Sequence, residues 1–189
     1  MDTEPLLTVT SRATFRCWLE KYAETEKFCW IVVGMKEQDN VIQYLDVVEE
    51  ALCFGWIDGI KKKLADGRLV QRLSPRKPNS NWTELNKERV RRLERLGLMT
   101  DSGRRVLPEM DPSAFKIDPE IEQALKTDPD LYQIFLSFPE LYRRIRIDTI
   151  QSYKNQPDLF RKRLEKFLLH TREHRLYGQW NDHGRLIEE

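Results

Sequence analysis

Apolar residues recur along the chain at two different spacings, and the change of spacing divides it. From Ser11 onward, Phe15, Trp18, Leu19 and Tyr22 follow the three-and-four rhythm of a helix, with Ser11 as its cap. Residues 28–33 are an unbroken apolar, β-branched run closed by Gly34, the pattern of a buried strand. Between 41 and 54, Leu45, Val47, Val48, Ala51 and Leu52 share one face of a second helix, with Asp46, Glu49 and Glu50 off that face and Gly55 as its stop. Two short runs, 56–63 and 69–73, flank Ala65-Asp66-Gly67-Arg68, whose turn chemistry joins them into a β-hairpin.

A basic helix over 82–96 turns Leu85, Val90, Leu93 and Leu96 inward and ends at Gly97. Another turn or two follows at 102–110, and 111–119 has the composition of a linker. Beyond it the spacing is helical throughout, over 120–126, 129–136, 139–153 and 158–175. The Asp118-Pro119, Asp128-Pro129, Phe138-Pro139 and Gln156-Pro157 pairs mark the starts, because proline is tolerated in a helix's first turn and disfavoured further in. The sum is an α+β protein. A small, mostly antiparallel sheet with packed helices fills residues 1–110, and a C-terminal helical region, 111–189, follows it and either packs on the first part or stands apart.

Composition adds bounds. The 189 residues suffice for one domain with a helical appendage. No interior stretch reaches the ~20 apolar residues that cross a bilayer, and Met1–Leu7 is acidic where a leader would be basic. The expectation is a soluble, cytoplasmic protein. Cys17, Cys29 and Cys53 are odd in number and widely spaced, so they read as buried thiols rather than a disulfide framework or a metal knuckle.

The net charge of +1 hides strong blocks, since residues 58–95 carry +7 and residues 143–175 carry +6, each beside acidic segments. Either the two basic blocks build a positive face that focuses its field on an anionic ligand, or they pair with their acidic neighbours.

Candidate chemistry concentrates between Cys53 and Trp82. Trp56-Ile57-Asp58-Gly59 reads as a strand delivering a side chain to a turn, and Ser74-Pro75-Arg76-Lys77-Pro78-Asn79-Ser80-Asn81-Trp82 as a structured loop entering a helix at about Asn81. In this reading Arg72, Arg76 and Lys77 bind charge, Asn81 donates a hydrogen bond beside helix N-terminal amides, Trp56 and Trp82 form walls, and Asp58 orients a cation. The competing reading makes the same residues structural: a capped helix, an Asp-Gly turn and core tryptophans. No second carboxylate stands near Asp58, no Gly-x-x-x-x-Gly-Lys-Ser/Thr loop is present, and Cys53 has no histidine near it in sequence, so no catalytic residue is assigned. His170 and His174 stand four apart, but Arg172 and Arg175 beside them disfavour a dication, so neither metal nor cofactor is expected.

Residues 51–59, 71–82 and 86–93 resemble the YdeI/OmpD-associated family, also called bacteriocin-protection proteins. The likeness extends to 28–36, where the family carries a Trp-containing strand ending in Gly-Lys-Lys and this chain has Met35 in place of a cation. With the helical tail, it covers roughly residues 10 to 170. The resemblance implies a link to antimicrobial stress and no particular reaction. From the residues, the leading expectation is a protein that binds an anionic small molecule or an anionic group on a partner. The alternatives are nucleic-acid binding through the hairpin at 61–76 and the helix bearing Arg161, Lys162, Arg163 and Lys166, or an enzyme using Asp58 or Cys53. Ligand identity and oligomeric state stay open.

Overall fold

Helix α1 (Arg12–Tyr22) starts where a reciprocal cap forms: Ser11 Oγ accepts from the Thr14 amide, and Thr14 Oγ1 accepts from the Ser11 amide. Phe15 and Leu19 turn into the core, while Cys17, on the opposite side of the helix, is exposed. The expectation of three buried thiols therefore holds for Cys29 and Cys53 only. Desolvation pushes both of those up to about 12. The computed structural model describes residues 5–36 and 38–187.

Strand β1 (Leu6–Leu7) runs parallel to β2 (Cys29–Val32), and β3 (Trp56–Lys63) and β4 (Leu69–Pro75) form the expected antiparallel hairpin. The order β1-β2-β4-β3 puts β2 and β4 in the middle. Period-two alternation carries neither β1, which is only two residues long, nor the irregularity in β3 between Asp58 and Lys61. There the buried Gln71 side chain donates to the carbonyl oxygens of Gly59 and Ile60, satisfying groups at the bulge.

Helix α2 (Tyr44–Cys53) overturns one expectation. Glu49 and Glu50, off the apolar face in the pattern, are each 1% exposed. Arg12 of α1 pairs with both, Arg16 binds Glu50 at 2.9 Å, and Arg92 of α3 (Glu84–Arg95) binds Glu49 at 3.0 Å. Burial alone would lower the Arg12 pKa, yet the hydrogen bonds and charges of Glu50 and Glu49 leave it raised. Periodicity locates apolar positions; it cannot register that three guanidiniums neutralise two carboxylates inside the same face. Helix α4 (Asp101–Arg104) is shorter than the 102–110 expected.

The chain divides into two compact units, one running to Asn81 together with Arg89–Pro108, the other joining Trp82–Glu88 to the residues from Glu109 onward. The second is built from α5 (Pro119–Lys126), α6 (Pro129–Ser137), α7 (Glu140–Gln151) and α8 (Pro157–Arg172). Pro119, Pro129 and Pro157 sit at the first turns, and Asp118 and Asp128 accept first-turn amides. Ile121, Leu125, Phe135, Tyr142, Ile150 and Phe167 form its core. Among the described residues, no helix is long and apolar enough to cross a membrane.

Replacing Glu50 with glutamine leaves Arg12 and Arg16 short of a buried counter-charge. The expected loss in urea denaturation is about 3 kcal/mol, whereas Arg161→Ala, which removes the exposed pair with Asp158, should leave the midpoint nearly unchanged. An unshifted midpoint for Glu50→Gln would show that the cluster does not constrain the fold.

Candidate functional site

Alternation along the strands decides which residues of the Cys53–Trp82 stretch meet. Arg72 lies opposite Trp30 in β2, and its guanidinium sits 4.5 Å from the Phe28 ring centroid. Asp58 pairs with Leu73, the next residue, whose side chain points to the other face of the sheet. The sheet thus separates Arg72 from Asp58. Trp56, 1% exposed, donates from Nε1 to the Ala23 carbonyl and packs edge-on against Trp18, so it belongs to the core of its unit.

Asp58 does sit in a polar corner. Tyr44 Oη donates to Asp58 Oδ2 at 2.6 Å, and Lys61 Nζ lies 3.8 Å from the Tyr44 ring centroid. Tyr44 went unnoticed in the sequence because it lies fourteen residues from Asp58 on another element. Arg76, 5% exposed, donates to Ser80 Oγ at 3.4 Å and to the Asn81 carbonyl at 3.2 Å. Burial lowers its pKa to about 10, against the upward pull of the Asp58 charge. Lys77 and Asn81 are exposed on the same loop, while Trp82 is buried and falls in the other unit.

The helix after this loop begins at Glu84 rather than Asn81, and Thr83 Oγ1 accepts from the Asn86 amide. Its first-turn amide at Glu84 donates to Asp148 Oδ2 at 3.0 Å. An internal carboxylate therefore already uses the helix N-terminus on which anion binding was expected. Burial raises the pKa of Asp148 itself.

The helical unit holds a different arrangement. A cleft of about 400 Å³ lies between α7 and α8, with Tyr177 and Gly178 at one end. Helical spacing brings Arg146 and Ile150 to it from α7, and Leu159, Lys162, Arg163 and Lys166 from α8. Among the described residues, none of these four cations has a carboxylate within ion-pair distance. Their neighbours contrast sharply: Arg144 binds Glu84, Glu88 and Glu140, and Lys154 binds Asp118 and Glu120.

The guanidiniums are held in place through their apolar faces. Arg146 lies 5.2 Å from the Tyr177 ring centroid and Arg163 lies 4.1 Å from that of Tyr153, and the Nε of each is buried without a protein acceptor among the described residues. Lys166 Nζ is 5.3 Å from the Tyr177 centroid, and His170 stacks on the same ring at 4.4 Å. Burial raises the pKa of the Tyr177 phenol, while Arg146 and Arg163 pull it down. The basic face of α8 was legible in the sequence; Arg146 and Tyr177 were not, since only the packing of α7 and the turn after α8 bring them there. Helix α8 stops at Arg172, and His174 has a φ of 53°, so His170 and His174 do not share a helical face.

Residues 7–106 match a family described as a domain of unknown function, DUF8412. Residues 114–174 match the family described as Bacteriocin-protection, YdeI or OmpD-Associated. The resemblance expected over about 10 to 170 is thus found on the helical segment, and the motifs at 51–59, 71–82 and 86–93 lie within the first match. No curated protein and no solved structure matches the chain.

Gly178 has a φ of 76°, and a Cβ there would run into Arg146 Nη1. Gly178→Ala should cost about 1 kcal/mol through the left-handed backbone and shift the arginine, read as a lower denaturation midpoint. An unchanged midpoint would mean that this turn is not held in the geometry described.

Proposed function

Because the chain belongs to the DUF8412 family through residues 7–106, whose description names no reaction, we propose its function from its own residues: it binds an anionic small molecule, or an anionic group on a larger partner, in the cleft between α7 and α8. One observation carries the reading. Arg146, Lys162, Arg163 and Lys166 converge on a single cleft with no carboxylate among the described residues to neutralise them. Like charges held close together repel, and the apolar wall formed by Ile150 and Leu159 lowers the local dielectric and strengthens their summed field. An anion in the cleft relieves the repulsion. The guanidiniums offer paired donors to oxyanions, and the ammoniums of Lys162 and Lys166 add mobile charge.

The corner of Asp58, Arg76, Lys77 and Asn81 is a secondary proposed contact. Its support is the lowered pKa of Arg76, which an anion held by Lys77 would raise again. The nucleic-acid alternative draws on the exposed basic residues of α8, yet Arg161 there is paired with Asp158. In the hairpin, Lys61 and Lys62 lie over the Tyr44 and Trp30 rings. Convergence on one cleft, rather than a row of free cations, favours the small anion. The cleft's helices fall inside the segment matched at 114–174, so a role in protection against antimicrobial stress is part of this proposal.

Thermal denaturation with added pyrophosphate tests it. The wild type is expected to melt higher as pyrophosphate is raised, the Lys162→Ala/Lys166→Ala double variant to lose most of that rise, and Lys126→Ala, which removes an exposed pair with Glu122 and a contact over the Tyr132 ring away from the cleft, to keep it. A wild type indifferent to both phosphate and pyrophosphate removes the reading. A steeply salt-dependent preference for a single-stranded oligonucleotide would transfer it to nucleic acid.

A further inference from the structure

We infer that the ligand of the α7–α8 cleft is a soluble phosphomonoester whose other portion is apolar, an inference that rests on the cleft being an anion site. Size is the first ground. The cleft's volume of about 400 Å³ lies within the ~300–1,000 Å³ typical of sites that enclose whole small molecules, and a single tetrahedral oxyanion fills only a small part of it. Something besides the charged group must occupy the rest.

The lining says what kind of group that is. Lys162 and Lys166 are exposed, Arg146 and Arg163 half-buried, and Ile150 is buried beneath them with Leu159 beside it. The exposed lysines therefore stand at the mouth, and the half-buried Leu159 lines the wall within beside the two arginines. The uncharged polar contribution is small: the Thr149 hydroxyl already donates to the Ile145 carbonyl at 2.7 Å. A ligand rich in hydroxyls would find few partners at depth and would leave its own polar groups unpaired. An apolar substituent loses nothing there and removes the half-buried Leu159 from water.

Tyr177 narrows the choice again. One could read it as a platform for a nucleobase, but His170 stacks on its ring, and Arg146 and Lys166 also lie over it. Its stacking capacity is spent within the protein, so the apolar portion meets aliphatic side chains instead. The charged end meets two guanidiniums whose Nε atoms are buried without a protein acceptor among the described residues; Arg146 also donates from Nη2 to Thr149 Oγ1 at 3.5 Å, so Arg163 and the two lysines supply most of the donors open to an oxyanion. A phosphomonoester, with about −1.5 to −2 charges near pH 7 and three oxygens, matches four surrounding cations better than a single carboxylate does.

Isothermal titration of the full chain at pH 8 with inorganic phosphate and with n-butyl phosphate isolates the claim, because the two ligands carry nearly the same charge and differ in the alkyl chain. Burying ~50 Å² of that chain makes butyl phosphate bind about tenfold more tightly. The advantage should shrink towards unity in Leu159→Gln, which makes the wall polar at a half-buried position. Equal affinities in the wild type overturn this inference and leave anion binding standing; heat from neither ligand overturns both. Sedimentation with phosphatidic-acid vesicles in place of butyl phosphate binding would move the same chemistry to a lipid headgroup and overturn the soluble ligand.

Discussion

Two carboxylates without water set the terms for the N-terminal unit. Glu49 and Glu50 lie side by side on α2, and burying each ion costs several kcal/mol unless counter-charge arrives with good geometry. That charge comes from elsewhere in the chain: Arg12 and Arg16 from α1, Arg92 from α3. Arg16 also donates to the Leu98 carbonyl and lies over the Phe54 ring, and Thr100 donates to the Cys53 carbonyl, so the end of α2 is clamped from several directions. The cluster is better understood as a device that fixes position than as a source of net stability. Where α2 ends, β3 begins, and with it the placement of Trp56 and Asp58.

Arginine is used in opposite ways along α7. Arg144 is surrounded by three glutamates, while Arg146, two residues on and therefore on a different side of the helix, faces none among the described residues. The basic block at 143–175 thus has two parts. One part is consumed internally, as the pairing alternative in the sequence supposed; the other gathers at the α7–α8 cleft. A block charge of +6 cannot separate these outcomes, because it counts cations without saying which carboxylates the fold brings back to them.

Much of the architecture was legible because it depends on local rules. Ser11 as a cap, the hairpin around Gly67, and helices opened by Asp-Pro pairs follow from backbone chemistry within a few residues, and the α+β class with helices towards the C-terminus follows from the apolar spacing. What escaped depends on partners distant in sequence. Glu49 and Glu50 read as solvent-facing until Arg12, Arg16 and Arg92 are placed beside them. Tyr44 acquires meaning only against Asp58, and Arg146 only against the face of α8. The α3 N-terminus looked open to an anion because nothing near Asn81 announces that Asp148 reaches it.

The two buried thiols give the N-terminal unit an internal clock. With burial raising its pKa to about 12, Cys53 is held as the unreactive thiol near neutral pH, and Cys29 stands in the same position. Alkylation at either therefore waits for the surrounding core to open, while the exposed Cys17 reacts without waiting. The ratio of slow to fast labelling in one intact molecule thus measures how often this unit breathes, with its own reference group built in.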